Sequence, residues 1–311
     1  MQSNDRIVGI GANLAATHGD LDAVREQTNA LVALGADVVE MYASALGVVA
    51  DARLLPARVA ELRRICEERP LAVTLHAPIP IDLMDRDNIA LHQRAARVSI
   101  DLAAEIGAKI VVIHAGRAAP EAWAADPDGL LAFEREELAA LGDHAVSAGL
   151  RVALENISPN PAVIAGRLTS YSLDPAALAE QLRMLDHPGV TGCLDYSHAN
   201  QGAGLLGLDR LAGVREMAPL TGHIHISEAS GVPAIPSITA QSDWMYFGVG
   251  DMHAPLGTGC MDLDALADVS DVRSGTYAIL EIQGHARALL DDSLRHLRIF
   301  ADRVNARAIA A

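Results

Sequence analysis

The sequence is poor in aromatic residues, lysine and cysteine, and each scarcity removes a class of function. Aromatic residues make up 3% of the 311 positions while half are hydrophobic, so the core is aliphatic, built from Ala, Val, Leu and Ile. The one lysine, Lys109, opens an apolar run instead of closing it. That argues against Schiff-base chemistry, and no GxxxxGKS/T phosphate loop is present. Cys66, Cys193 and Cys260 lie far apart and form no CxxC pair, which argues against a zinc ribbon or a disulfide framework and suits a reducing cytoplasm. A formal charge of −16 lacks the clustered Lys and Arg on which phosphate-backbone affinity depends, so nucleic acid is disfavoured as a partner. The start, MQSNDRIVGIG, has no basic region followed by a long apolar stretch, and no uncharged apolar run of 18 residues occurs later. The expectation is a protein neither secreted nor membrane-spanning.

What is present is alternation. Eight short apolar runs, at 6–12, 37–42, 71–77, 109–115, 151–156, 190–195, 221–227 and 276–282, are separated by longer stretches. Several of these have apolar residues recurring at three and four, as in LDAVREQTNALVALG, PARVAELRRICEER and DPAALAEQLRMLD. Short strands joined by amphipathic helices predict a parallel sheet, and Gly35, Gly107 and Gly149 stand where left-handed caps would close helices. Eight such units over 1–311 predict a single (β/α)8 TIM barrel. An open nucleotide-binding sheet would carry GxGxxG after its first strand, and GIGAN lacks that spacing. Two long irregular stretches, 157–172 and 228–261, exceed ordinary loop lengths. The second holds Trp244, Tyr246 and Phe247, candidates for a lid or substrate wall.

The run ends carry the chemistry. Seven of them close on Glu40, His76, His114, Glu155, Asp195, His225 and Glu281. Asp, Glu and His together occupy about one position in six, so seven such endings by chance would have a probability on the order of 10⁻⁵ to 10⁻⁶. In a barrel these positions ring the C-terminal mouth, where active sites of the fold sit. Mixed imidazole and carboxylate donors suit Zn, Mn, Fe or Co better than Ca or Mg. In Asp195-Tyr-Ser-His198 the Asp ends a strand and the His enters the following turn; in Asp251-Met-His253 an extended loop offers two donors in one direction. His223 and His225 point to the same side of one strand, with His223 expected below the metal layer. Glu40 is a candidate substrate ligand or a structural carboxylate paired with an arginine. Arg117, Arg167 and Arg287 follow strands four, five and eight and are candidates to hold a phosphate.

The segments TLHAPIP, VVIHAG, VALENIS, CLDYSHA, GHIHISE, GDMHAPLGTG and ILEI resemble the ordered motifs of the xylose-isomerase-like TIM-barrel superfamily. That superfamily includes sugar isomerases and epimerases, inosose dehydratases and endonuclease IV, and the resemblance runs from strand two to strand eight. From the epimerases it implies one Mn, Co or related ion on Glu155, Asp195, His225 and Glu281, with the two glutamates moving the proton. From endonuclease IV it implies three zinc ions: His76, His114 and Glu155 for one; Asp195, His225 and Glu281 for a second, bridged by Glu155; His198, Asp251 and His253 for a third. Many ketose epimerases carry an arginine six residues after the strand-seven histidine, where this chain has Gly231.

The favoured expectation is therefore metal-assisted enolisation of a sugar or sugar-phosphate-like small molecule by an isomerase, epimerase or related lyase, with one to three divalent ions per chain. A multinuclear zinc phosphoesterase acting on a small substrate is the alternative. A catalytically silent sugar-binding or assembly subunit is the third reading. Dimers and tetramers are common in the resembling families, so a homo-oligomer is compatible with every reading.

Overall fold

In the computed structural model, which describes residues 5–310, the eight apolar runs are eight strands. They are β1 (Ile7–Asn13), β2 (Val38–Tyr42), β3 (Ala72–His76), β4 (Ile110–His114), β5 (Arg151–Glu155), β6 (Val190–Asp195), β7 (Thr221–Ile226) and β8 (Thr276–Leu280). Each pairs in parallel with its neighbours in sequence, and β1 pairs with β8 to close the barrel. Closure brings backbones close: at Gly11 a Cβ would fall 1.7 Å from the Val38 carbonyl oxygen, so only glycine fits this point of β1.

The expected helices form as Leu21–Ala33, Pro56–Glu67, Ile89–Glu105, Pro127–Ser147 and Pro175–Leu185. Asp20, Asp126 and Asp174 accept backbone N–H bonds at three of their N-termini, satisfying donors the first turn leaves free. Gly35, Gly107 and Gly149 have φ of +73°, +74° and +76°, as their capping role requires.

Strand periodicity sorts side chains into two cores. Outward residues such as Val111, Ile113, Val152, Leu154, Leu194, Ile224 and Leu280 join the main apolar cluster with the helices. Residues of the opposite parity, Ile110, Val112, Ala153 and Cys193 with Tyr277 beside them, form a small separate cluster that plugs the barrel interior. Continuing that inward parity along each strand reaches His114, Glu155, Asp195 and Glu281. The alternation that buries the plug thus aims the polar strand ends into the mouth.

Three features differ from the sequence reading or add to it. Helix Tyr196–Leu206 begins directly after Asp195, so His198 lies in a first helical turn instead of a connecting turn. The 228–261 stretch contains a helix, Gln241–Phe247. A small hairpin pairs Val49–Ala50 with Arg53–Leu54. No helix among the described residues is long and apolar enough to cross a membrane.

Candidate metal centre

Glu155 is the hub of the mouth. It is wholly buried, and its Oε1 lies 2.9 Å from His225 Nδ1 and 3.6 Å from His198 Nδ1. Its Oε2 lies 3.3 Å from both His76 Nε2 and His114 Nε2. Glu281 Oε1 stands 3.5 Å from His225 Nδ1. One donor atom each from Glu155, Asp195, His225 and Glu281 falls within a 4.8 Å group, as do one each from His198, Asp251 and His253. In the latter group Asp251 Oδ2 sits 3.1 Å from His198 Nε2 and 3.0 Å from His253 Nε2. All nine residues singled out by strand ends and spacing therefore converge.

Several details fit these donors to metal ions. Glu155 Oε2 and Asp195 Oδ2 are buried with no hydrogen-bond partner, a costly state for carboxylate oxygens unless a cation meets them. The imidazoles are turned by bonds on their far sides: His76 Nδ1 donates to the Ala77 carbonyl at 2.7 Å, His198 Nδ1 to the Asn156 carbonyl at 2.8 Å and His253 Nδ1 to the Glu281 carbonyl at 3.0 Å. Each bond places a proton on Nδ1 and turns Nε2 toward the carboxylates, where it would become the ligating atom once a metal displaces its own proton. Two ligands about 2.1 Å from a tetrahedral ion are about 3.4 Å apart, close to the separations around Glu155. His253 adopts φ +44°, a strained backbone for a side chain that must be aimed.

Glu40 is held by His223 and Thr74 and lies beside His225 without a hydrogen bond to it. Buried with it, Glu40 Oε1 lies 2.8 Å from His225 Nε2, and Oε2 lies 2.8 Å from His223 Nε2 while accepting from Thr74 Oγ1 at 3.0 Å. No arginine pairs with it among the described residues; two histidines do. His223 sits one layer below His225, ring centroids 5.0 Å apart, as the spacing predicted.

The electrostatics follow from burial and these pairs. Burial alone would raise Asp251, but His253 and His198 outweigh it and hold the carboxyl well below its usual range. Burial opposes charging His253, yet Asp251 and Glu281 raise it to about 10. Burial pushes Asp195 up to about 6 against the pull of His198. Against burial, neighbouring carboxylates likewise raise His198 and His225, whereas burial lowers His114 and His223.

The other singled-out residues are spread more widely. Arg117 lines a cavity of about 180 Å³ that also touches His114, His198 and Glu281. Arg167 is exposed on the β5 loop. Arg287 is mostly buried, its pKa lowered by burial to about 10, and it donates to the Asn13 carbonyl and side-chain oxygen at 2.5 and 2.9 Å. Trp244 bonds its indole N–H to the Ile238 carbonyl at 2.6 Å. Tyr246 is 88% exposed. Neither aromatic side chain lines the mouth cavities; their helix contributes Gln241 instead.

That larger cavity, about 340 Å³, is bounded by Asn13, Thr17, Tyr42, Gln241, Asp251, His253, Glu281 and Gln283 among others. Asn13 and Gln283 were not singled out in the sequence. Extending the first run by one residue, to GAN13, would have shown that all eight runs end in a polar group. Asn156 was also missed: its side chain donates to the Asp195 carbonyl at 2.9 Å and accepts from the Asp195 N–H at 2.8 Å, joining the ends of β5 and β6.

Residues 29–300 match the family described as xylose isomerase-like TIM barrel. No curated protein sequence matches significantly. Among solved structures, a D-tagatose 3-epimerase-like protein is similar at TM-score 0.69 and 16% identity, covering 96% of this chain and 99% of that one. A D-allulose 3-epimerase from Methylomonas sp., in complex with D-allulose, is similar at TM-score 0.65 and 15% identity, over 96% and 98%. A protein from Thermus thermophilus soaked with zinc chloride is similar at TM-score 0.61 and 22% identity, over 94% and 98%. At these identities the likeness establishes the shared fold.

Proposed function

The chain belongs to the xylose isomerase-like TIM barrel family, and we propose that it is a divalent-metal-dependent enzyme that moves a proton on a sugar-like substrate, as an isomerase, an epimerase or a related lyase. Glu155, Asp195, His225 and Glu281 would hold the central ion. A bound Mn, Co or Zn would polarise a substrate carbonyl and its neighbouring hydroxyl, acidifying the adjacent C–H. Glu281 is the group placed to take that proton: it belongs to the four-ligand set and also faces both cavities. Glu155, enclosed by four imidazoles, serves chiefly as a ligand.

The observation that carries this reading is the wall of the larger cavity. It presents Asn13, Thr17, Gln241 and Gln283 beside Leu14, Leu46 and Ile282, and no arginine or lysine. Away from the carboxylates of the metal set and Glu40, these neutral hydrogen-bonding groups beside aliphatic side chains suit a polyhydroxylated, uncharged portion of substrate. Loaded with Mn or Co and incubated with keto-sugars in D2O, the protein is expected to introduce deuterium beside the carbonyl. Glu281→Gln should lower that rate by about 10² to 10⁴, the usual contribution of a general base.

A second reading, multinuclear phosphoester hydrolysis, is favoured by the convergence of all nine ligands, because enolisation needs only four of them. Three zinc ions per chain together with phosphodiester cleavage and no deuterium exchange would establish it over the first.

A further inference from the structure

The metal-ligand ridge stands between two cavities of opposite character. Both touch His76, Ile79, Asp251, His253 and Glu281, so one molecule lying across the ridge would reach into each. The larger is free of cationic side chains other than histidine. The smaller, about 180 Å³, is lined by Arg117, Ser158 and Asn160 on its far side.

Arg117 is half-buried, and among the described residues no carboxylate pairs with its guanidinium. The nearby Asp82 accepts instead from the backbone N–H groups of Met84 at 3.0 Å and Arg117 at 3.3 Å. The guanidinium makes one bond, from Nη2 to the Ile79 carbonyl at 3.0 Å. Asp82 attracts it only through space, so in a chain of net charge −16 a guanidinium without an ion pair, facing a metal-site cavity, is available to an anion. Asn160 adds a donor, since its Oδ1 already accepts from Ala162 and Val163 N–H and its amide hydrogens remain.

We propose that Arg117 and Asn160 form the receptor for an anionic group at the end of the substrate distal to the reacting carbon, making the preferred substrate an acidic or phosphorylated sugar. The proposal rests on the preceding reading only in placing the reacting carbon over the four-ligand group. Phosphate and carboxylate share the required chemistry: two or more oxygens accepting from a planar guanidinium.

The test is calorimetric binding to the Mn-loaded full chain of three probes that differ at C6: D-fructose, D-fructose 6-phosphate and D-fructuronate. At least one anionic probe should bind about tenfold or more tighter than fructose. That advantage, taken relative to fructose in the same protein, should vanish in Arg117→Gln and return in part in Arg117→Lys. Which anion gains tells phosphate from carboxylate. An advantage that persists in Arg117→Gln would place the anion on the metal ions and overturn the proposal, as would no advantage in the unaltered protein. Deuterium exchange on the same samples reports separately on proton transfer, so the two readings fail independently.

Discussion

Glu134 in the helical shell and Glu155 at the barrel mouth are both removed from solvent, yet their surroundings treat the carboxylate oppositely. Glu134 accepts from Gly116 N–H at 2.7 Å, Tyr171 Oη at 2.6 Å and Gln181 Nε2 at 2.9 Å. Each oxygen is used, and the group ties the β4 and β5 loops to helix Pro127–Ser147. Burial still raises its pKa. Glu155 is also opposed by burial, but His225 and His114 hold it well below the usual range, and its Oε2 keeps no hydrogen bond. A carboxylate satisfied by neutral donors is a structural fastener. One left open among imidazoles is free to meet a cation.

The comparison breaks first at Glu155 itself. Glu155→Gln keeps the shape but weakens the shared ligand, and turnover should fall by about 10² to 10⁴ with metal content reduced while the fold survives. Unchanged metal content by elemental analysis would remove Glu155 from the site. Glu134→Ala should do the reverse. Leaving three donors unpaired costs about 2–4 kcal/mol in denaturant unfolding, with metal per folded chain unchanged.

Glu40 sits between these extremes: His223 and Thr74 fasten one oxygen, and the other lies unbonded beside His225. Glu40→Gln should weaken metal affinity by about 10- to 100-fold and alter the visible spectrum of the cobalt-loaded protein. A spectrum and affinity identical to the parent would confine Glu40 to packing. The smallest expected effect concerns protons. His253, held at about 10, is charged in the metal-free protein at neutral pH, and a metal must displace that proton. Apparent affinity should therefore rise with pH up to about 10, and loading an unbuffered sample should acidify it. An affinity independent of pH between 7 and 9 would contradict the assignment of His253 as a ligand.

Much of this was legible in the sequence because barrels couple two simple periods. The inward parity of each strand fixes which residues reach the mouth, so Glu155, Asp195, His225 and Glu281 could be read from where the apolar runs stop. The caps at Gly35, Gly107 and Gly149 were legible because only a left-handed residue closes those helices cheaply. What escaped depends on contacts distant in sequence. Arg287, a candidate to hold a phosphate, donates to Asn13, 274 positions away, a contact that no local pattern announces. Glu134 gives no local signal, since its partners come from three separate segments. His198 opens a helix instead of a turn because the Asp195 side chain, at the strand end, accepts from the His198 N–H at 2.8 Å. Tyr246 and Trp244 drew notice as scarce aromatics, but scarcity does not say which way a loop helix faces.

Every assignment above depends on metal being held at the strand ends. Anomalous diffraction from crystals soaked in zinc or manganese tests it most directly. A peak enclosed by Glu155, Asp195, His225 and Glu281 is expected, with further peaks at His76–His114 and at His198–Asp251–His253 if the centre is multinuclear. A fully soaked crystal with no peak among the four central residues would contradict it.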